Sequence, residues 1–102
     1  MGAEVFFTTM GGETAQEAFN EAVRQACYDY GHSGYTGTIA EKHEFVMIPL
    51  PDGKKASAFA RGLINDGDER VDDKWGPAGC IQFDVDSETG RKQFLFFGWA
   101  SS

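Results

Sequence analysis

The sequence predicts an α+β fold: an antiparallel sheet of four to five strands with two helices on one face. Three features predict it. A T-x-x-E capping box at Thr14 and Glu17 opens a segment whose apolar residues recur at helical spacing, at Ala15, Ala18, Phe19, Ala22, Val23, Ala26 and Cys27. A second helical stripe, Ala56, Phe59, Ala60, Leu63 and Ile64, lies within residues 54–66. Segments rich in aromatic and β-branched residues, bounded by Gly, Pro and Asp, flank both helices.

In chain order, residues 3–10 alternate as a strand that Gly11-Gly12 ends. The first helix finishes at Tyr28 and Tyr30, and Gly31 suits the left-handed position after it. Residues 43–48 form a second strand, stopped by Pro49 and Pro51, with residues 36–40 as an optional short strand beside it. Pro51-Asp52-Gly53 is turn chemistry. Gly62 costs the second helix about 1 kcal/mol relative to Ala unless close packing requires it. Residues 68–79 make an irregular loop, and a loop of that length in so small a domain is functional or mobile. Residues 80–86 and 92–99 form a hairpin about Ser87-Glu88-Thr89-Gly90. The last strand is apolar on both faces, so helices or another subunit must cover both. With the optional strand counted, the order is ferredoxin-like, β-α-β-β-α-β, plus a C-terminal strand. With both helices on one face, the doubly apolar last strand points to a homo-oligomer, a dimer or higher.

The chain of 102 residues makes one domain, 1–102, able to bury a core built largely from nine Phe, two Trp and three Tyr. No apolar run is long enough for a transmembrane helix, and no basic-then-apolar leader opens the chain, so a cytoplasmic location is expected. The net charge of −7 argues against a nucleic acid polymer and an anionic membrane as partners. Cys27 and Cys80 form no C-x-x-C pair and read as small buried hydrophobes in a reducing compartment.

The polar handles concentrate in Gly31-His32-Ser33-Gly34-Tyr35-Thr36-Gly37-Thr38-Ile39-Ala40-Glu41-Lys42. Backbone amides of a glycine-rich loop can converge on an anion, and hydroxyls add donors. Gly34, Gly37, Thr36 and Thr38, with Ser33, are the candidate phosphate cradle. Lys42, joined by Lys74, supplies positive charge. Tyr35 or Trp75 stacks on a base, and Glu41 accepts from ribose hydroxyls. The stretch is neither a Walker A loop nor a dinucleotide fingerprint, since G-x-x-x-x-G-K-[ST] is absent and the segment follows a helix. The alternative is an elaborate helix-to-strand connection.

His32 and His43 match no zinc spacing, and Asp66, Asp68, Asp72 and Asp73 match no EF-hand. The histidines read as ordinary surface or supporting groups, with His32 favoured should one act, and the aspartates as a solvated acidic loop. No G-x-S-x-G, Ser-His-Asp or Cys-His arrangement is evident. No catalytic residue, metal or cofactor is assigned. Lys74-Trp75 completes the candidate site if the loop 68–79 folds over the glycine stretch; the alternative, slightly preferred from the residues alone, is a Trp buried under its own loop.

The stretch 31–42 resembles a motif in small, functionally unassigned proteins of actinobacterial phages and some of their hosts. Asp72-Asp73-Lys74-Trp75-Gly76-Pro77-Ala78-Gly79 looks like a second block in the same family. The resemblance covers the middle half of the chain and implies a lineage more than a chemistry. Small phage proteins that counter bacterial defence include sponges that hold nucleotide immune signals without cleaving them. No sponge motif matches here residue by residue, so the analogy rests on size, expected oligomerisation and the phosphate-friendly loop. The leading expectation is a protein that binds and sequesters a nucleotide-like phosphorylated ligand. The alternatives are an enzyme on such a ligand, a phosphoesterase or a cleaver of a glycosyl bond, with His32 or Glu41 as acid/base, and an acidic inhibitor that binds a host protein.

Overall fold

The computed structural model describes residues 2–31 and 34–102. It is an α+β domain of two helices and a four-stranded mixed sheet. The chain runs β1 (Ala3–Gly12), α1 (Ala15–Tyr30), a 3₁₀ turn (Ile39–Glu41), β2 (Phe45–Met47), α2 (Ala56–Asn65), β3 (Ala78–Val85) and β4 (Lys92–Ser101). Among the described residues no helix is long and apolar enough to cross a membrane.

Local signals place α1 as expected. The Thr14 hydroxyl accepts from the Glu17 amide at 3.1 Å, and the Glu17 carboxylate takes the Glu13 amide at 3.2 Å. Gly31, at φ 88°, ends the helix by donating to the Cys27 carbonyl at 2.8 Å. β1 runs on through Gly11 and Gly12, because β4 continues opposite them as far as Lys92.

The spatial order is β1-β4-β3-β2, and three expectations change with it. First, the optional strand at 36–40 does not form. Gly37 turns the backbone to φ 71°, and the Thr38 hydroxyl caps a 3₁₀ turn by accepting from the Ala40 amide. The ferredoxin-like order loses a strand. Second, β2 pairs with β3 in parallel, Phe45 opposite Ala78. A helix intervenes between these strands, so the chain re-enters the sheet from the same end. The sheet is therefore mixed, with the β1–β4 and β3–β4 pairs antiparallel.

Third, the helices lie on opposite faces. Phe94, Phe96 and Ala100 of β4 pack with Phe6 and with Ala18, Phe19, Ala22 and Ala26 of α1. The intervening Leu95 and Phe97 pack with Ile81, Val71 and Ala60, and with Phe59 and Leu63 of α2. Side chains alternate across a strand, so the two clusters sit on two faces. The double apolarity of β4 is thus met within one chain by two helices, and it no longer implies a partner subunit.

β3 approaches β4 closely at Gly79. A Cβ there would sit 2.7 Å from Phe97 Cζ and 2.8 Å from Val71 Cγ1, whereas one on Gly62 in α2 would meet nothing within 4 Å. Gly62 therefore has no packing reason to be glycine. Gly79→Ala is expected to cost about 1–3 kcal/mol through overpacking. Gly62→Ala is expected to raise stability by about 1 kcal/mol. Urea unfolding of both variants checks the pair, and a shift of the same sign in both would contradict this packing.

Candidate functional site

The loop after α1 owes its path to backbone conformations that few residues adopt. Gly31, Gly34 and Gly37 have φ of 88°, 79° and 71°, and Tyr35 shares that region at φ 58°. For a non-glycine residue this costs about 1–3 kcal/mol and persists only where the surroundings dictate it. The dictating group is Glu41. Its Oε2 accepts from the Thr36 hydroxyl at 2.7 Å and the Thr36 amide at 3.2 Å, and Thr36 Oγ1 lies 2.8 Å from Thr38 Oγ1. Burial pushes the Glu41 carboxyl up. The Thr36 donors, the Tyr35 amide and the Ser101 hydroxyl outweigh burial, so the carboxyl sits below its ordinary value. Ser101 Oγ is buried and makes no hydrogen bond of ordinary geometry, yet its dipole lies close enough to contribute.

Lys42 follows directly and turns inward. It is 2% exposed, and its ammonium donates to the carbonyls of Gly76 at 2.8 Å, Lys74 at 3.2 Å and Asp73 at 3.3 Å. Burial lowers its pKa, with nearby Asp73 acting in the opposite direction. The phosphate-neutralising role expected of Lys42 thus meets a competing use, since all three protons are spent inside the protein. The loop 68–79 is wrapped on that ammonium. Val71 anchors it in the core at 1% exposure. Asp73 Oδ1 accepts from the Trp75 amide at 2.9 Å. The Asp68 carboxyl is pulled down to about 2 by its hydrogen bonds from the Arg70 side chain and amide.

The two loops therefore meet. The Tyr35 and Trp75 rings stand edge to face, 6.3 Å apart and inclined at 84°, and remain 59% and 66% exposed. Lys74 Nζ lies 5.3 Å from the centre of the Trp75 ring and donates to the Gly2 carbonyl at 3.2 Å. In the same glycine-rich loop, a cavity of about 200 Å³ is lined by Gly31, Gly34, Glu41, Ala40, Cys27 and His43. It shares Cys27 and His43 with a groove of about 590 Å³ along α1.

Of the candidate residues, Gly34, Tyr35, Thr36, Gly37, Thr38, Glu41, Lys42, Lys74 and Trp75 belong to this one loop assembly. His32 and Ser33 lie outside the described residues. Thr36 is engaged with Glu41 and Thr38, the Thr38 hydroxyl also accepts from the Ala40 amide, and Gly37 donates its amide to the Ser101 carbonyl at 2.8 Å. These groups shape the loop. Sequence reasoning passed over Cys27 and His43 as cavity walls, and their spacing carried no signal of it. Among the described residues no group of three or more His, Cys, Asp or Glu is placed to hold a metal ion. Cys80 is fully buried, which pushes its thiol up to about 12, so Cys27 is the accessible thiol of the two.

No family model matches this chain, and no curated protein or solved structure matches it significantly. What the site can do follows from its own geometry.

Two outcomes test that geometry. Lys42→Met leaves three loop carbonyls without their donor and is expected to destabilise the protein by about 1–3 kcal/mol and to open residues 68–79 to proteolysis. An unchanged urea midpoint would show that the ammonium does not organise the loop. Glu41 gives a pH signature. A carboxyl whose pKa is depressed by folding stabilises the fold above its unfolded value, and that contribution is lost as pH falls through the folded value. Glu41→Gln should therefore melt below the parent at neutral pH, with the gap closing on acidification. A gap independent of pH would assign the loss to packing instead.

Proposed function

We propose that the protein binds and holds a small nucleotide-type ligand at the junction of its two loops. One observation carries this reading: the exposed Tyr35–Trp75 pair, with the Lys74 ammonium beside the indole. Exposed aromatic faces take up bases at about 1–3 kcal/mol each. Lys74 supplies the cation for a phosphate. The ionised Glu41 carboxylate, one wall of the cavity in the same loop, accepts from sugar hydroxyls. A cavity of 200 Å³ alone is below the usual range for drug-sized ligands, so the neighbouring groove that shares Cys27 and His43 completes the volume. Sequestration of such a ligand, as by a sponge for an immune signal, is the form of this function favoured by analogy with small phage proteins that counter host defence, an analogy that rests on size and not on a matching motif.

A second reading has its own observation. Cys27, His43 and Glu41 line the same small cavity, a thiol, an imidazole and a carboxylate together. An enzyme acting on the same ligand would draw its acid/base from this set. Product formed on prolonged incubation separates it from simple binding.

The test is thermal unfolding against NAD, ADP-ribose, and cyclic mono- and dinucleotides. A ligand at about 100-fold its dissociation constant adds about 2.7 kcal/mol, which shifts the midpoint of a domain this size by more than about 10 °C. Trp75→Ala is expected to weaken the binding compound about tenfold or more. Tyr35→Gly should relieve the left-handed backbone, keep or raise the melting point of the free protein, and still weaken binding. A panel without a shift, or full affinity in both variants, removes the aromatic pair as the ligand platform.

A further inference from the structure

The sheet has two edges, and they differ in kind. β2 is three residues long and is followed closely by Pro49 and Pro51. Short length and nearby proline protect an edge from pairing with another chain. β1, on the other edge, spans ten residues in unbroken register with β4. It holds no proline, lysine, arginine or bulge, and Glu4 is its one charged residue.

The groups that β1 leaves open can be assigned. Gly2 and Ser102 exchange both backbone bonds, at 3.0 and 3.1 Å. Bonded and open pairs alternate along an antiparallel ladder, so Glu4, Phe6, Thr8 and Met10 bond to β4. The amides and carbonyls of Ala3, Val5, Phe7 and Thr9 then point away from the sheet. Beyond Thr9 the edge closes, because Arg91 Nη2 donates to the Gly11 carbonyl at 3.2 Å.

We propose that β1 pairs with β1 of a second copy, antiparallel about a two-fold axis at Phe6, and joins two sheets into one. The open groups select this register. With Phe6 opposite Phe6, Ala3 faces Thr9 and Val5 faces Phe7, so each of the four outward residues has a partner. An axis at Val5 leaves Thr9 without a partner in the strand, and an axis at Phe7 sets Ala3 against Gly11, whose carbonyl is taken. Glu4 falls opposite Thr8, so the two like charges do not oppose each other. Val5 and Phe7, each half-buried in one chain, become cross-strand neighbours on the α2 face. On the α1 face, an open groove of about 340 Å³ lined by Phe6, Met10, Ala22 and Ile39 lies beside this edge and can take side chains of the partner.

Light scattering on the eluted full chain reads the mass, and amide exchange by NMR reads the edge. The expected result is about twice the 11.2 kDa chain mass. It comes with exchange at Val5, Phe7 and Thr9 slowed about tenfold or more, towards that of Phe6 and Thr8. A monomer, or a dimer in which Val5, Phe7 and Thr9 exchange freely, would overturn the proposal. Val5→Pro removes an outward N–H that β4 does not use, and it should give a folded monomer. A persisting dimer counts against the β1 edge. Should that variant fail to fold, the exchange pattern of the unaltered chain decides alone.

Discussion

Two-sided burial of β4 is the constraint from which the architecture follows. Phe94, Phe96 and Ala100 look one way, and Leu95 and Phe97 the other, each set almost fully buried. A strand apolar on both faces belongs in the middle of a sheet, between two layers. β1 and β3 take its two edges, and α1 and α2 take its two faces. The remaining strand joins outside β3 through a helical crossover, and the sheet becomes mixed as a result.

Within that frame, the site rests on two ionised side chains that point in different directions. Glu41 gathers donors from its own loop and holds Tyr35 in a left-handed backbone. Lys42, the next residue, reaches into the other loop and gathers its carbonyls. Adjacent residues of opposite charge thus fix two loops, one each, and the Tyr35–Trp75 contact lies where those loops meet. The ring pair is exposed, but its support is not, which is how a small domain keeps a recognition surface in place.

Much of this was legible in the residues. The capping box at Thr14, the stripes of both helices and the C-terminal hairpin are local patterns, and they appear nearly where expected. The polar and aromatic handles of the loops 31–42 and 68–79 were legible one loop at a time, but that the loops meet was not, and it is the Tyr35–Trp75 contact of the fold that joins them. Most of what failed was non-local, with one local exception. Nothing in residues 36–40 reveals that Thr38 will cap a turn when a strand pattern is also present. The apolarity of β4 demanded two covers, but the identity of the second depended on where α2 crossed. Lys42 is the sharpest case. A lysine beside a glycine-rich loop looks like a ligand cation, and only the fold of residues 68–79 shows three carbonyls waiting for it.

The pairing of β1 with β4 joins the first strand of the chain to the last. During synthesis, β1 leaves the ribosome well before β4, by a delay on the order of ten seconds at ordinary elongation rates. Through that interval α1 has no β4 to pack on, since Phe94 and Phe96 complete the cluster beneath it. The nascent chain must carry Phe6 and Phe7 without the sheet that buries them. Its vulnerability to aggregation and to chaperone capture is therefore concentrated in the time before β4 emerges.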